Sequence, residues 1–87
     1  MRLHYHRDFE KRASKLLPAQ QKRLACALRL FEKDHRHPTL YNHPFHGRWT
    51  GHSSVSFGGD WRAHYIEKGD DVAFFVALGR HSELYGE

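Results

Sequence analysis

Cysteine is almost absent from this chain. A single thiol, Cys26, among 87 residues rules out an internal disulfide, and its neighbours Ala25, Ala27 and Leu28 read as core rather than as the setting of a nucleophile. Long apolar runs are missing too. No stretch approaches the ~20 residues that span a bilayer, and the segment Met1–His6 has no apolar stretch behind it of the signal-peptide kind. The expectation is a protein of the reducing cytoplasm with no membrane partner. HExxH, paired cysteines and Cys/His finger spacing are all lacking, so the H-x-H pairs His4/His6 and His35/His37 do not build a metal site. No metal and no cofactor are expected. Acidic residues are scarce in the first half: residues 1–48 carry eleven Lys/Arg against four Asp/Glu, a net +7, while residues 49–87 carry three against six, a net −3. Such a basic half either attracts a polyanion or is simply a solvated surface.

Aromatics, by contrast, make up 14% of the residues, enough to anchor one modest core, so residues 1–87 read as a single folded domain. Residues 2 to 6 alternate as a short strand. Asp8 is the expected N-cap of a helix with Phe9, Ala13, Leu16 and Leu17 on one face. Pro18 opens a second helix in which Leu24, Ala27, Leu28 and Phe31 recur at helical spacing. Arg7, Lys11 and Lys15 form one solvent stripe, and Lys22, Arg29 and Lys33 another. Pro38 and Pro44 punctuate a loop over 35–48. Strands are expected over Trp49–Phe57, Trp61–Glu67 and Val72–Leu78, the last an unbroken apolar run suited to a central position. The order predicts an α+β fold: an N-terminal strand, a two-helix hairpin and a three-stranded antiparallel meander, forming one sheet with the helices on one face.

The middle hairpin has a readable register. A Gly58-Gly59-Asp60 loop with Phe57 opposite Trp61 sets Arg62 across from Ser56 and His64 across from Ser54. One face would then present Arg62, His64, His52 and two serines, polar, cationic or protonatable and wide enough for a nucleotide strand.

Nine histidines are the strongest chemical signal. Metal-free RNA cleavage needs a base for the 2′-hydroxyl, an acid for the leaving 5′-oxygen and cations for the phosphate, and imidazole can serve each purpose near neutral pH. His43, His46, His64 and His81 fall where loops and strand ends of the expected site would meet. Taken alone, His43 beside Pro44 is equally a loop-ordering hydrogen bonder, and Asp60 equally a turn former. Tyr85 could pack down the C-terminal end, and Trp61 could be a core anchor as well as a stacking platform.

The pieces His43-Pro44-Phe45-His46-Gly47-Arg48-Trp49, Asp60-Trp61-Arg62 and Gly79-Arg80-His81-Ser82-Glu83-Leu84-Tyr85-Gly86, in this order and spacing, resemble the RelE/ParE superfamily of bacterial toxins and, within it, the YafQ-like messenger-RNA endonucleases. The resemblance is strongest over 42–86. It implies the toxin of a type II toxin–antitoxin system, cutting mRNA on the translating ribosome. Catalytic roles carry over to His43, Asp60 with Trp61, His81 and Tyr85, while Arg62 and Arg80 match arginines of the broader RelE group. The family's late-strand histidine is replaced here by Ser56, which makes His64 or His52 the candidate substitute. Lys11, Lys15, His46, Arg48 and Trp61 are the expected RNA-binding set. The implied partners are a short acidic antitoxin, through which alone operator DNA would be met, and mRNA with the ribosome. The rivals are a ParE-like gyrase inhibitor, against which the histidine cluster argues, and a binding protein of the same fold with weakened catalysis.

Overall fold

A computed structural model describes residues 1–44, 51–81 and 84. Its elements run β1 (Arg2–Tyr5), α1 (Arg7–Ser14), α2 (Pro18–Lys33), a 3-10 turn (Pro38–Leu40), β2 (His43–Pro44), β3 (Ser53–Gly58), β4 (Trp61–Lys68) and β5 (Val72–Arg80). Among the described residues the strands form one sheet in the order β1-β5-β4-β3-β2. β1 runs parallel to β5, and every other pairing is antiparallel. The α+β architecture is the one expected. The apolar run of β5 does lie inside the sheet, between β1 and β4.

Both helices cover one face, α1 over β5 and α2 over β3. Phe31 of α2 is the hub of the core, with its ring 5.0 Å from Tyr65 and 5.3 Å from Phe75, both edge-on. Phe9 of α1 reaches the same Phe75 ring at 5.6 Å. Gln21 of α2 donates to the Ala13 and Ser14 carbonyls at 3.3 and 3.2 Å, satisfying the open end of α1 and fixing one helix on the other.

Several details depart from the sequence reading. His6, not Asp8, caps α1: its Nδ1 accepts from the Asp8 N–H at 3.0 Å. The helix starts one residue before Asp8, which then stands in the first turn, where a carboxylate favours the positive helix end. Leu17 is exposed rather than core, because α1 stops at Ser14 and Leu17 becomes the N-cap of α2. The segment expected to be all loop contains a 3-10 turn and the edge strand β2. The first long strand begins at Ser53, and residues 49–50 of its expected start lie outside the described set.

The hairpin register holds at Ser56↔Arg62 and Ser54↔His64, but Gly58 rather than Phe57 faces Trp61. Phe57 is the bulged residue, and the turn shortens to Gly59-Asp60. Gly58 and Gly59 make this possible with φ of +129° and +52°, a region costly for any side chain. A second irregularity between His64 and Tyr65 opposes Tyr65 to Phe75 and His64 to Ala77. Val76 is left over, which explains why the buried apolar side chains of β5 are Ala73, Phe75 and Leu78 rather than a strict alternation.

Candidate functional site

Cross-strand pairing puts directly opposed side chains on the same face. On the face away from the helices, one row therefore reads His43, Ser54, His64, Ala77, and the next reads Ser56, Arg62, Gly79. His43 owes its place in the first row to β2, the small strand that the sequence did not reveal. The loop delivering it is pinned by Asn42, whose Oδ1 accepts from the Tyr65 hydroxyl at 2.9 Å and whose Nδ2 donates to the His35 carbonyl at 2.7 Å. Asn42 was not picked out from the sequence. Its only signal was its position just before the His-Pro pair.

His43 is exposed, and its Nδ1 lies 2.6 Å from the Tyr41 carbonyl. A carbonyl oxygen only accepts, so Nδ1 carries the proton, and in the neutral ring Nε2 is left as an acceptor. This is the tautomer that a general base requires. Tyr41 itself has φ +50°, an uncommon conformation for a non-glycine residue, and is 75% exposed.

The expected polar face is buried at its centre. His64 and Ser54 are fully buried, at 0% exposure. Burial first, and then the neighbouring His52 and His43, lower the His64 pKa to about 4. His64 is therefore neutral at pH 7 and closed to a bulky ligand, which removes the simplest form of its expected acid–base role. His64 lies on β4, between β3 and β5, with His52 and His43 close enough to act on its titration.

The second group of site residues gathers at the turn end of β4 and β5. The His81 N–H donates to the Asp60 carbonyl at 2.8 Å, so the strand end carrying His81 is fastened to the turn carrying Asp60. His81 is exposed. The Arg62 Nη1 donates to the Gly59 and Trp61 carbonyls at 2.8 and 2.9 Å and to the Ser56 Oγ at 3.3 Å. Its guanidinium is thus held in one place, and Ser56 serves as an acceptor for it. Arg80 lies over the Trp61 ring, 5.8 Å from Cζ to the centroid. Trp61, Lys11 and Lys15 line a common cleft on the helix side of the sheet. His46, Arg48 and Tyr85 lie outside the described residues. No set of three or more His, Cys, Asp or Glu among the described residues converges as a metal site.

A sheet with an α1/α2 layer on one face and histidines with arginines on the other can be compared with known proteins. No protein-family model matches the chain, and no curated protein matches it in sequence. Solved structures do. YafQ from E. coli strain BL21(DE3) superposes with a TM-score of 0.78 at 22% identity, over 99% of this chain and 100% of that one. The chain has the RelE/ParE toxin fold. The E. coli DinJ–YafQ toxin–antitoxin complex matches at TM-score 0.73 and 25% identity, covering 97% of this chain and 96% of that one. The archaeal RelE–RelB complex from Pyrococcus horikoshii OT3 matches at 0.73 and 20%, covering 92% and 93%. Within this fold the His43 row and the Arg62 row are neighbours on the face away from the helices, and the Asp60–His81 end adjoins the Arg62 row.

Proposed function

We propose that this chain is the toxin of a type II toxin–antitoxin pair and an endoribonuclease that cuts mRNA on translating ribosomes without a metal. The observation that carries this reading is His43: an exposed imidazole whose Nδ1 is committed to the Tyr41 carbonyl, on a fold shared with YafQ and RelE. In the proposed reaction the substrate 2′-oxygen forms a bond to the adjacent phosphorus as its proton passes to a base. The bond from phosphorus to the 5′-oxygen breaks as that oxygen receives a proton from an acid. The products are a 2′,3′-cyclic phosphate and a free 5′-hydroxyl.

His43 and His81, both exposed, share the acid–base work, and Arg62 stabilises the charge that develops on the phosphate, while Arg80, over the Trp61 ring on the helix side, meets the flanking RNA. His64 becomes a buried, neutral support behind His43 in the same row. Asp60 holds the His81 strand end through its backbone, and Tyr85 and Trp61 position the substrate. His46 and Arg48, which follow β2 in the sequence, contribute cationic or protonatable contacts. An acidic antitoxin would neutralise the basic half, and the toxin–antitoxin complexes among the structural relatives support such a partner. The protein would work in the cytoplasm and meet operator DNA only through that partner.

The test is mRNA cleavage by the purified protein on translating ribosomes, with 2′,3′-cyclic phosphate ends identified on the products. His43→Ala and His81→Ala should each lower the rate about 10²-fold or more with an unchanged melting temperature. Full activity in both folded variants would remove the mechanism. Inhibition of DNA supercoiling without RNA cleavage would instead make the chain a gyrase inhibitor.

A further inference from the structure

Trp61 begins β4 on the helix side of the sheet, while its neighbour Arg62 pairs with Ser56 on the other side. The indole packs beside Phe57, with ring centroids 5.9 Å apart and planes at 34°. Across from it, α1 and its C-cap present Lys11, Arg12 and Lys15. With Asp8 and Leu16 these residues enclose a cleft of about 510 Å³, within the size range of small-ligand sites. Lys11 and Lys15 are one helical turn apart and so share a face. Neither makes an ion pair with any described residue. The one carboxylate in the lining, Asp8, faces the His6 imidazole at 3.7 Å. The cleft thus joins three cations to a half-buried aromatic wall, and the exposed Arg80 side chain lies over the same indole, 5.8 Å from Cζ to the centroid, where a base would slide in beside it or displace it.

We infer that this cleft is a subsite for one unstacked nucleotide of single-stranded RNA, with the base against Trp61 and the flanking phosphates on Lys11 and Lys15. The inference rests on the RNA-cleaving reading above and adds a second contact, on the side of the sheet opposite His43. Cations alone would accept any polyanion, an acidic peptide included. The indole favours a ligand with a π-face of its own, which a nucleotide has and a chain of carboxylates lacks. An RNA strand held here would pass round the Gly59-Asp60 turn to reach the row of Arg62.

The experiment is fluorescence anisotropy with a labelled 2′-O-methyl tetranucleotide, which cannot be cleaved because its 2′-oxygen is blocked, measured between 50 and 200 mM salt. An abasic oligomer of equal charge should bind wild-type protein about tenfold more weakly, as expected for one lost base–aromatic stack. Trp61→Leu should weaken the base-bearing oligomer by a similar factor without altering the salt slope, and Trp61→Phe should bind nearly as wild type. Lys11→Gln with Lys15→Gln should lower the slope of log K against log salt by about 1.4, at ~0.7 per phosphate contact. Equal binding of the abasic and base-bearing oligomers, equal displacement by polyglutamate, or an unchanged slope in the lysine pair each overturns the subsite. The abasic comparison needs no variant to fold. A protein that cleaves mRNA yet fails these tests loses only the subsite. One that binds as described without cleaving keeps the subsite and loses the nuclease.

Discussion

Histidine has several distinct uses here, and only the environment of each residue tells them apart. His6 and His37 spend Nδ1 as helix caps, accepting from the Asp8 and Thr39 N–H groups at 3.0 and 3.2 Å. His35 packs its ring on Phe31. His43 has one nitrogen committed and is exposed, while His64 is buried with its pKa lowered to about 4. The last case has a thermodynamic consequence. An unfolded histidine titrates near 6.5, so between pH 6.5 and 4 the unfolded chain binds a proton that folded His64 refuses. Its contribution is therefore complete above pH 6.5 and is lost as pH falls towards 4, on the order of 3 kcal/mol. Urea unfolding at pH 7 and pH 4.5 should show this loss, and His64→Gln should reduce it by that amount. An identical pH slope in the variant would mean that His64 is solvated.

Among the elements, the β3–β4 hairpin decides which side chains meet. Its bulge at Phe57 lets Phe57 and Trp61 pack together while Ser56 and Arg62 stay paired on the other face. Gly58 is the hinge of that arrangement. A Cβ there would sit 3.0 Å from the Arg23 Cδ, which a flexible side chain can yield, but φ +129° remains unfavourable for any L-residue. Gly58→Ala should cost about 1–3 kcal/mol, read as a lower urea midpoint with an unchanged m-value. Loss below about 0.5 kcal/mol would place the strain within ordinary surface variation. The loop before β2 behaves in the same spirit: Asn42 ties it to Tyr65 and His35 and so fixes the backbone that carries His43.

On the scale of the whole molecule, charge is divided along the chain, +7 over residues 1–48 and −3 over 49–87. Both helices belong to the basic half, so the cationic surface lies mainly on one side of the sheet. An acidic partner should be drawn to it fast at low salt, and its association rate should fall steeply as ionic strength rises. Stopped-flow mixing with the product of an adjacent acidic gene, at 50 and 300 mM salt, checks this. A rate insensitive to salt would locate the interface away from the helices. Co-expression of the same partner should restore growth to cells in which the chain alone is toxic.

The sequence by itself determined the order of the two helices and the four longer strands and the hairpin pairs Ser56/Arg62 and Ser54/His64, because these depend on local periodicity and turn chemistry. It also determined the histidine-rich inventory and the lack of paired cysteines. Tertiary structure decided which histidines face solvent. His64 reads as an outward strand residue by alternation, yet it is buried, which local periodicity does not decide. The tautomer of His43, the clamp of Asn42 and the meeting of Trp61 with Lys11 and Lys15 likewise depend on residues brought together only by folding. Periodicity gives the face on which a side chain starts; what covers that face is a property of the assembled sheet and helices.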